Sequence, residues 1–237
     1  MTVWAPKRFW KAAGVVETPE GFGIALDGRA VKTPAKATLA VPTRALAEAI
    51  AAEWDAQSET IDPATMPLTR AANAAIDKVA AQHGEVAAYI ADYGGTDLLC
   101  YRAEAPEPLV ARQAQGWDPL LDWAAEALGA RLVVTQGVVP VAQPDEALAA
   151  LSARVAAMDA WQLAALHDLV GISGSLLLGL AVAEGRLPPE EAWALSRIDE
   201  DWQAEQWGHD EEAAALAAVK RQALLDAARF WTLLQRG

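Results

Sequence analysis

The hydrophobic pattern of the chain changes period near Pro42. Before it, short runs rich in β-formers alternate with turn residues: FWKAAGVVET, GFGIALDG and RAVKTPAKATLAVP, broken by Gly, Pro and Asp. Asp27-Gly28, between GIAL and RAV, is the dipeptide of a two-residue hairpin, and Thr18-Pro19-Glu20-Gly21 reads as a second turn. Residues 9–42 are therefore expected to form a small antiparallel sheet. After Pro42 the apolar positions recur at helical spacing. Thr43 is placed to N-cap ALAEAIAAEWDAQ, and Trp54 near the end of that helix is expected to pin it to the sheet. Ile61-Asp62-Pro63 and Met66-Pro67 punctuate a loop ahead of LTRAANAAIDKVAAQ, and GEVAAYIADYG follows as a third helix.

The run Tyr93–Asp97, YGGTD, reads as a helix C-terminal break, and TDLLCYRA fits strand or helix. EPLVARQAQGWDPLLDWAAEALG reads as helix, with Asp118-Pro119 restarting it. LVVTQGVVPV reads as extended, and further helices are expected from Asp145, from Pro189, through SRIDEDWQAEQW and from Asp210 onward. In the last of these Leu216, Val219, Ala223, Ala227, Phe230 and Leu234 make one apolar stripe. The near-apolar run Leu169–Ala183 is too short to span a bilayer comfortably and suits a buried helix. Within it Gly171, Gly174, Ser175 and Gly179 form a small-residue face on which another helix can approach, with Gly174 given a structural role. The expected fold class is α+β: a small antiparallel β-rich N-terminal domain, residues 1–75, packed on a larger mainly α-helical C-terminal domain, residues 76–237.

The most informative stretch is SRIDEDWQAEQW, Ser196–Trp207. Read as one helix at 100° per residue, it places Ser196, Glu200, Gln203 and Trp207 within a stripe roughly 60° wide. Leu195, Ile198 and Trp202 centre on another face, which is the one expected in the core. The first face carries a carboxylate, an amide and an indole with no internal task, and is the candidate for binding a partner. An exposed tryptophan there is the residue type most often found as an energetic hot spot.

Composition narrows the function classes. The chain has 237 residues, 53% hydrophobic and 22% charged, which is a globular composition, and ten tryptophans supply bulk that its many alanines do not. The net charge is −13 and uneven: residues 1–44 hold seven Lys/Arg against three acids, while the rest hold 12 against 29. The acidic bulk is repelled by phosphate backbones and anionic lipid, so neither nucleic acid nor membrane is an expected partner. The single cysteine, Cys100, admits no internal disulfide and fits a reducing compartment. No apolar segment of a secretory signal follows Met1, and a cytoplasmic protein is expected.

The search for catalytic chemistry yields no candidate catalytic, cofactor-binding or metal-ligating residues. His83, His167 and His209 lie in no HExxH motif. His209-Asp210-Glu211-Glu212 diverges around a helix and reads as a solvated acidic helix start, and His167-Asp168 reads as helix surface. Gly171–Ser175, GISGS, fails the nucleophile-elbow pattern at its fifth position, and neither GxxxxGK[ST] nor GxGxxG occurs. Two readings stay open beside a partner-binding protein. One is an enzyme of unknown type using the acidic cluster 199–201. The other is a permanent structural subunit.

Several blocks, taken together and in order, resemble the ATP12 family of assembly chaperones for the F1 sector of ATP synthase. They are Lys7–Trp10, LDGRAVKTPAK at Leu26–Lys36, AAEWDAQ at Ala51–Gln57 and IDPATMPLTRAANAAID at Ile61–Asp77. TDLLCYRA at Thr96–Ala103, GSLLLGLAVAEGRL at Gly174–Leu187 and ALSRIDEDWQAEQWG at Ala194–Gly208 complete the set. The resemblance implies a non-enzyme without cofactor, expected to be a monomer when free. It would bind the unassembled α subunit of F1 and prevent its aggregation until it pairs with β. Eukaryotic members of the family act in the mitochondrial matrix. It also implies that an acid of the SRIDED helix matters, corresponding to Asp199 or Glu200, with Glu200 favoured by the stripe it shares with Gln203 and Trp207. Trp54 matches a family position where substitution is harmful, and a role in folding is expected for it.

Overall fold

The computed structural model describes residues 7–137, 139–208 and 210–236. His209, the first member of the His-Asp-Glu-Glu run, lies outside the described residues. The fold is α+β, and the chain divides into two compact units. One gathers residues up to His83 with Asp159–Ala165 and the segment from Arg229 onward. The other gathers Gly84–Met158 and Leu166–Ala228.

In the first unit β1 (Ala13–Thr18) pairs antiparallel with β2 (Gly21–Leu26), in register from Ala13 opposite Leu26 to Thr18 opposite Gly21. β2 also pairs with β3 (Arg29–Ala30) and with β4 (Ala40–Val41), so its Ile24, Ala25 and Leu26 are buried. Asp27 and Gly28 both have positive φ, 48° and 80°, as a hairpin turn matched to strand twist requires. The Asp27 carboxylate accepts the backbone N–H of Ala12 and of Lys11, and these bonds hold its pKa below the usual carboxylate range. At Gly21, φ is +131° and a Cβ would lie 2.4 Å from the Val41 carbonyl oxygen, so only glycine fits.

Helix α1 (Arg44–Asp55) starts where Thr43 predicts: its hydroxyl oxygen accepts the Leu46 N–H and its O–H donates to the Leu233 carbonyl. Helix α2 (Pro67–Ala74) has no side-chain cap of its own, and runs on into one π-turn, Ala75–Val79. Glu53 of α1 caps it instead. Its carboxylate accepts Leu68 N–H at 2.7 Å, Thr69 N–H at 2.8 Å and the Thr69 hydroxyl at 2.7 Å. Burial pushes the Glu53 pKa up against these bonds. Its neighbour Trp54 lies edge-on to buried Trp10, ring centroids 5.3 Å apart, on the segment leading into β1. Glu53→Ala strands three donors at once and is expected to cost about 2–3 kcal/mol in urea denaturation. Glu53→Gln, which keeps one acceptor oxygen, should cost less. An unchanged midpoint for the alanine variant would remove Glu53 as the cap.

The second unit is built on helices. Helix α3 (His83–Ala91) leads through a 3₁₀ turn at Asp92–Thr96 and another at Leu98–Cys100 into β5 (Tyr101–Arg102). β5 pairs in parallel with β6 (Thr135–Gln136). The remaining helices are α4 (Glu107–Ala127), α5 (Asp145–Ala156), α6 (Ala160–Ser173), α7 (Leu176–Ala183), α8 (Pro189–Ser196), α9 (Ile198–Trp207) and α10 (Glu211–Leu234), of which α6 up to Ala165 and α10 from Arg229 are counted with the first unit. TDLLCYRA is thus a 3₁₀ turn followed by a two-residue strand. Pro119 does not restart a helix. It sits inside continuous α4, where buried Trp117, Leu120 and Ala124 compensate the hydrogen bond that proline cannot donate.

The apolar run 169–183 is two helices, not one. α6 ends at Ser173, Gly174 takes φ 72°, and the Ser175 hydroxyl caps α7 by accepting Leu178 N–H. A Cβ on Gly174 would meet nothing within 4 Å, so its role is the left-handed turn. The close approach belongs to Gly179, where a Cβ would lie 2.6 Å from Val170 Cγ2. The apolar stripe of α10 is also only half covered. Ala227 and Phe230 are buried, but Leu216 and Val219 are 57% and 67% exposed. Helical spacing finds an apolar face without showing what covers it.

Asp97 ties the unit together. It is fully buried, and its carboxylate accepts Leu99 N–H at 3.1 Å, Leu177 N–H at 3.0 Å and the Ser175 hydroxyl at 2.7 Å. It therefore caps the 3₁₀ turn and α7 together. Burial outweighs these bonds and pushes its pKa up to about 6.

Candidate functional site

The segment SRIDEDWQAEQW is not a single helix. The backbone leaves helical geometry at Arg197, φ −115° and ψ 8°, which separates α8 from α9. Two residues of α4 meet the junction. A Cβ on Gly116 would lie 2.7 Å from Leu195 Cδ2 and 3.1 Å from Ile198 Cδ1, so α4 passes close to the junction and a larger residue there would have to displace the Leu195 side-chain tip. Fully buried Trp117 donates its indole N–H to the Leu195 carbonyl at 2.9 Å, taking a free carbonyl of the last turn of α8.

The break takes Ser196 off the face of α9. Ser196 does not share a surface with the rest: it is buried, and its hydroxyl donates to the Trp193 carbonyl at 2.8 Å, so a partner cannot reach it. The stripe that α9 presents is Asp199, Trp202, Gln203, Gln206 and Trp207, spaced three, one, three and one. It forms one wall of a groove of about 590 Å³. Tyr101, Arg102 and Ala103 of β5 and its exit, with Pro106 and Leu109 at the start of α4, are among the residues opposite.

The predicted residues fall unevenly in this groove. Asp199, Gln203 and Trp207 line it, and Trp207 is 80% exposed. Glu200 does not line it. It is exposed beside the groove and pairs with Arg197 one turn back at 2.9 Å. Trp202, expected in the core, is a half-exposed part of the wall. The Arg112 guanidinium lies 5.0 Å from its ring centroid, and Glu205 holds that guanidinium through two bonds of 2.8 and 2.9 Å. The hydrogen bond between them lowers the Glu205 pKa and raises that of Arg112.

Sequence reasoning missed Gln113. Its amide N–H donates to Asp199 Oδ1 at 2.6 Å while its carbonyl oxygen accepts Ala103 N–H at 2.9 Å, so one buried side chain fixes both walls. A signal existed. Gln113 lies on the buried stripe of α4 with Leu109 and Trp117, and a buried amide requires partners. Arg102 is likewise buried and held: it donates to the Leu99 carbonyl at 2.9 Å and to Asp118 at 2.7 Å, over the Trp117 ring.

Elsewhere the chemistry is sparse. The Cys100 thiol is buried and its pKa pushed up to about 12, chiefly by burial, which leaves no thiolate at neutral pH. His167 stacks on Tyr89 and bonds to Asp168 at 2.9 Å, and that bond raises its pKa. Among the described residues no three His, Cys, Asp or Glu side chains gather as a metal site, and no helix is long and apolar enough to cross a membrane. The groove can hold a chain segment by burying apolar side chains on two indoles and by pairing with a carboxylate and two amides.

Known proteins share this architecture. The family profile described as ATP12 chaperone protein matches residues 7–125. The crystal structure of Atp12 from Paracoccus denitrificans is 56% identical, covers 96% of this chain and 98% of its own, and superposes with a TM-score of 0.93. A candidate chaperone from Agrobacterium tumefaciens is 48% identical over 94% of this chain and 85% of its own, with a TM-score of 0.88. The mitochondrial protein atp12 of Schizosaccharomyces pombe is 29% identical over 220 residues, 87% of this chain and 75% of that protein. The fold and these matches define a chaperone protein. The chain belongs to the ATP12 family.

Proposed function

We propose that this chain is a cytoplasmic assembly chaperone for the F1 sector of ATP synthase. It binds the unassembled α subunit, as a monomer and without catalysis, and keeps it from aggregating until it pairs with β. The choice of the α subunit comes with the family resemblance. The observation that carries a binding role is the α9 stripe, which leaves a tryptophan 80% exposed over a groove walled by a second indole and a carboxylate. An exposed aromatic of this size beside polar groups suits a surface that a partner covers.

Within this reading Asp199 is the first anchor and Glu200 the second, the reverse of the order that helical spacing alone implies. Asp199 stands in the groove wall, held by Gln113, whereas Glu200 is paired outside it. The test is co-expression of the α subunit with wild type, Asp199→Lys and Glu200→Lys, followed by recovery of soluble complex. Wild type should keep α soluble, Asp199→Lys should reduce recovery at least tenfold, and Glu200→Lys should reduce it less than threefold. An α subunit that aggregates equally with and without wild type would overturn the reading.

A further inference from the structure

We infer that the α9 groove selects an extended client segment in which one apolar and one basic side chain are separated by a single residue. This rests on the chaperone reading above and adds to it the chemistry of the bound segment. The groove wall has a fixed order: carboxylate at Asp199, indole at Trp202, amides at Gln203 and Gln206, indole at Trp207. At 1.5 Å rise per residue, Asp199 and the midpoint between Trp202 and Trp207 are roughly 8 Å apart along the helix. Residues i and i+2 of an extended chain point to the same side about 6.5–7 Å apart. A side chain seated between the two indoles therefore brings its i±2 neighbour to Asp199.

Charge then fixes what that neighbour is. One oxygen of Asp199 accepts Gln113, and the residue lines the groove without a cation on its carboxylate among the described residues. The two arginines beside the groove offer no compensating charge, since Arg102 is bound by Asp118 and Arg112 by Glu205. The Glu104 carboxylate stands at the opposite rim, where a Cβ on Gly137 would lie 3.0 Å from it. A lysine or arginine is attracted at that position and an acidic side chain repelled. Gln203 and Gln206 each offer a donor pair and an acceptor, the complement of an extended backbone, and read no side chain.

The experiment is fluorescence anisotropy at low salt with three labelled 15-residue peptides on the same full-length chain. The first carries three Leu-Ser-Arg units in a glycine–serine background, the second replaces each Arg by Glu, and the third replaces each Leu by Ser. The first peptide should bind at least tenfold more tightly than either of the others. Asp199→Asn keeps the acceptor for Gln113 and should weaken the first peptide at least fivefold, and Trp207→Ala should do the same. Glu190→Gln removes an equal charge on α8 outside the groove and should change binding less than twofold. Circular dichroism and melting temperature confirm that each variant is folded. No measurable binding of the first peptide, equal binding of all three, or equal losses in Asp199→Asn and Glu190→Gln would overturn the inference. The same proteins are scored for α-subunit capture. Wild type that captures α but shows no peptide preference sinks the segment assignment alone, whereas wild type that fails to capture α sinks the chaperone reading.

Discussion

Asp97→Ala should lower folding stability by about 3–5 kcal/mol, because it strands three donors in a fully buried site. Two of them are backbone N–H groups at the starts of the 3₁₀ turn and α7. The third, the Ser175 hydroxyl, is itself the cap of α7, so the loss spreads beyond Asp97. The same residue gives a pH dependence with a defined sign. Its pKa is about 6 when folded against 3.8 for the ordinary group, so between these values the folded state holds more protons than the unfolded state. Stability from this group is therefore greatest below about pH 4, falls as pH rises to about 6, and is flat above. The span corresponds to about 3 kcal/mol at 1.36 kcal/mol per pH unit. Urea denaturation of wild type and Asp97→Asn from pH 3.5 to 8 isolates it, since the other carboxylates titrate in both proteins. A wild-type-minus-variant difference that does not decline across pH 4–6 would show that the donors, not burial, control this carboxyl.

Asp97 also marks what a sequence can and cannot disclose. In the reading along the chain it closes YGGTD, a helix break, because its partners Ser175 and Leu177 lie 78 and 80 residues away. Features whose cause is local were legible. Asp27-Gly28 made its hairpin and Thr43 capped α1. Pro144 and Pro188 preceded helices, and Gly208 ended one. Features made by tertiary contact were not. Arg197 carries no breaking signal, and the break there coincides with the close passage of Gly116 and the Trp117 bond to Leu195. Pro119, which does carry one, is overridden by the packing of α4. A linear reading also meets a limit in the first unit, which takes in residues 159–165 and those from 229 onward as well as the N-terminal segment.

The site shows the same division. The stretch is identifiable from its mixture of acids, amides and tryptophans, but not the face it presents. The break at Arg197 takes Ser196 out of that face. Within continuous α9 the groove face turns from Glu200 toward Gln206, and helical spacing alone does not show which face its neighbours leave open. Helical spacing groups Trp202 with Leu195 and Ile198 and so predicts it in the core. In the folded chain its ring is taken up by Arg112, a residue of α4 that no local pattern connects to it.

Trp117→Ala should cost about 4 kcal/mol and, alone among the groove-supporting changes, should remove fold and binding together. The ring is fully buried, and truncating a buried tryptophan typically costs 3–5 kcal/mol because the cavity collapses only in part. The Arg102 guanidinium stacked over it, 5.2 Å from the centroid, would lose its cover while still buried. Trp117→Phe separates the two roles. It keeps most of the apolar volume and removes only the indole N–H that holds the Leu195 carbonyl, a loss of about 1–2 kcal/mol. Leu195 lies two residues before the break that sets the direction of α9, so the phenylalanine variant should remain folded at 25 °C yet capture the α subunit threefold to tenfold less well. Denaturation curves measured beside the capture assay decide it. Full capture by a mildly destabilised Trp117→Phe would mean that packing at Gly116 alone orients Asp199, and that the indole bond adds stability without positioning the groove.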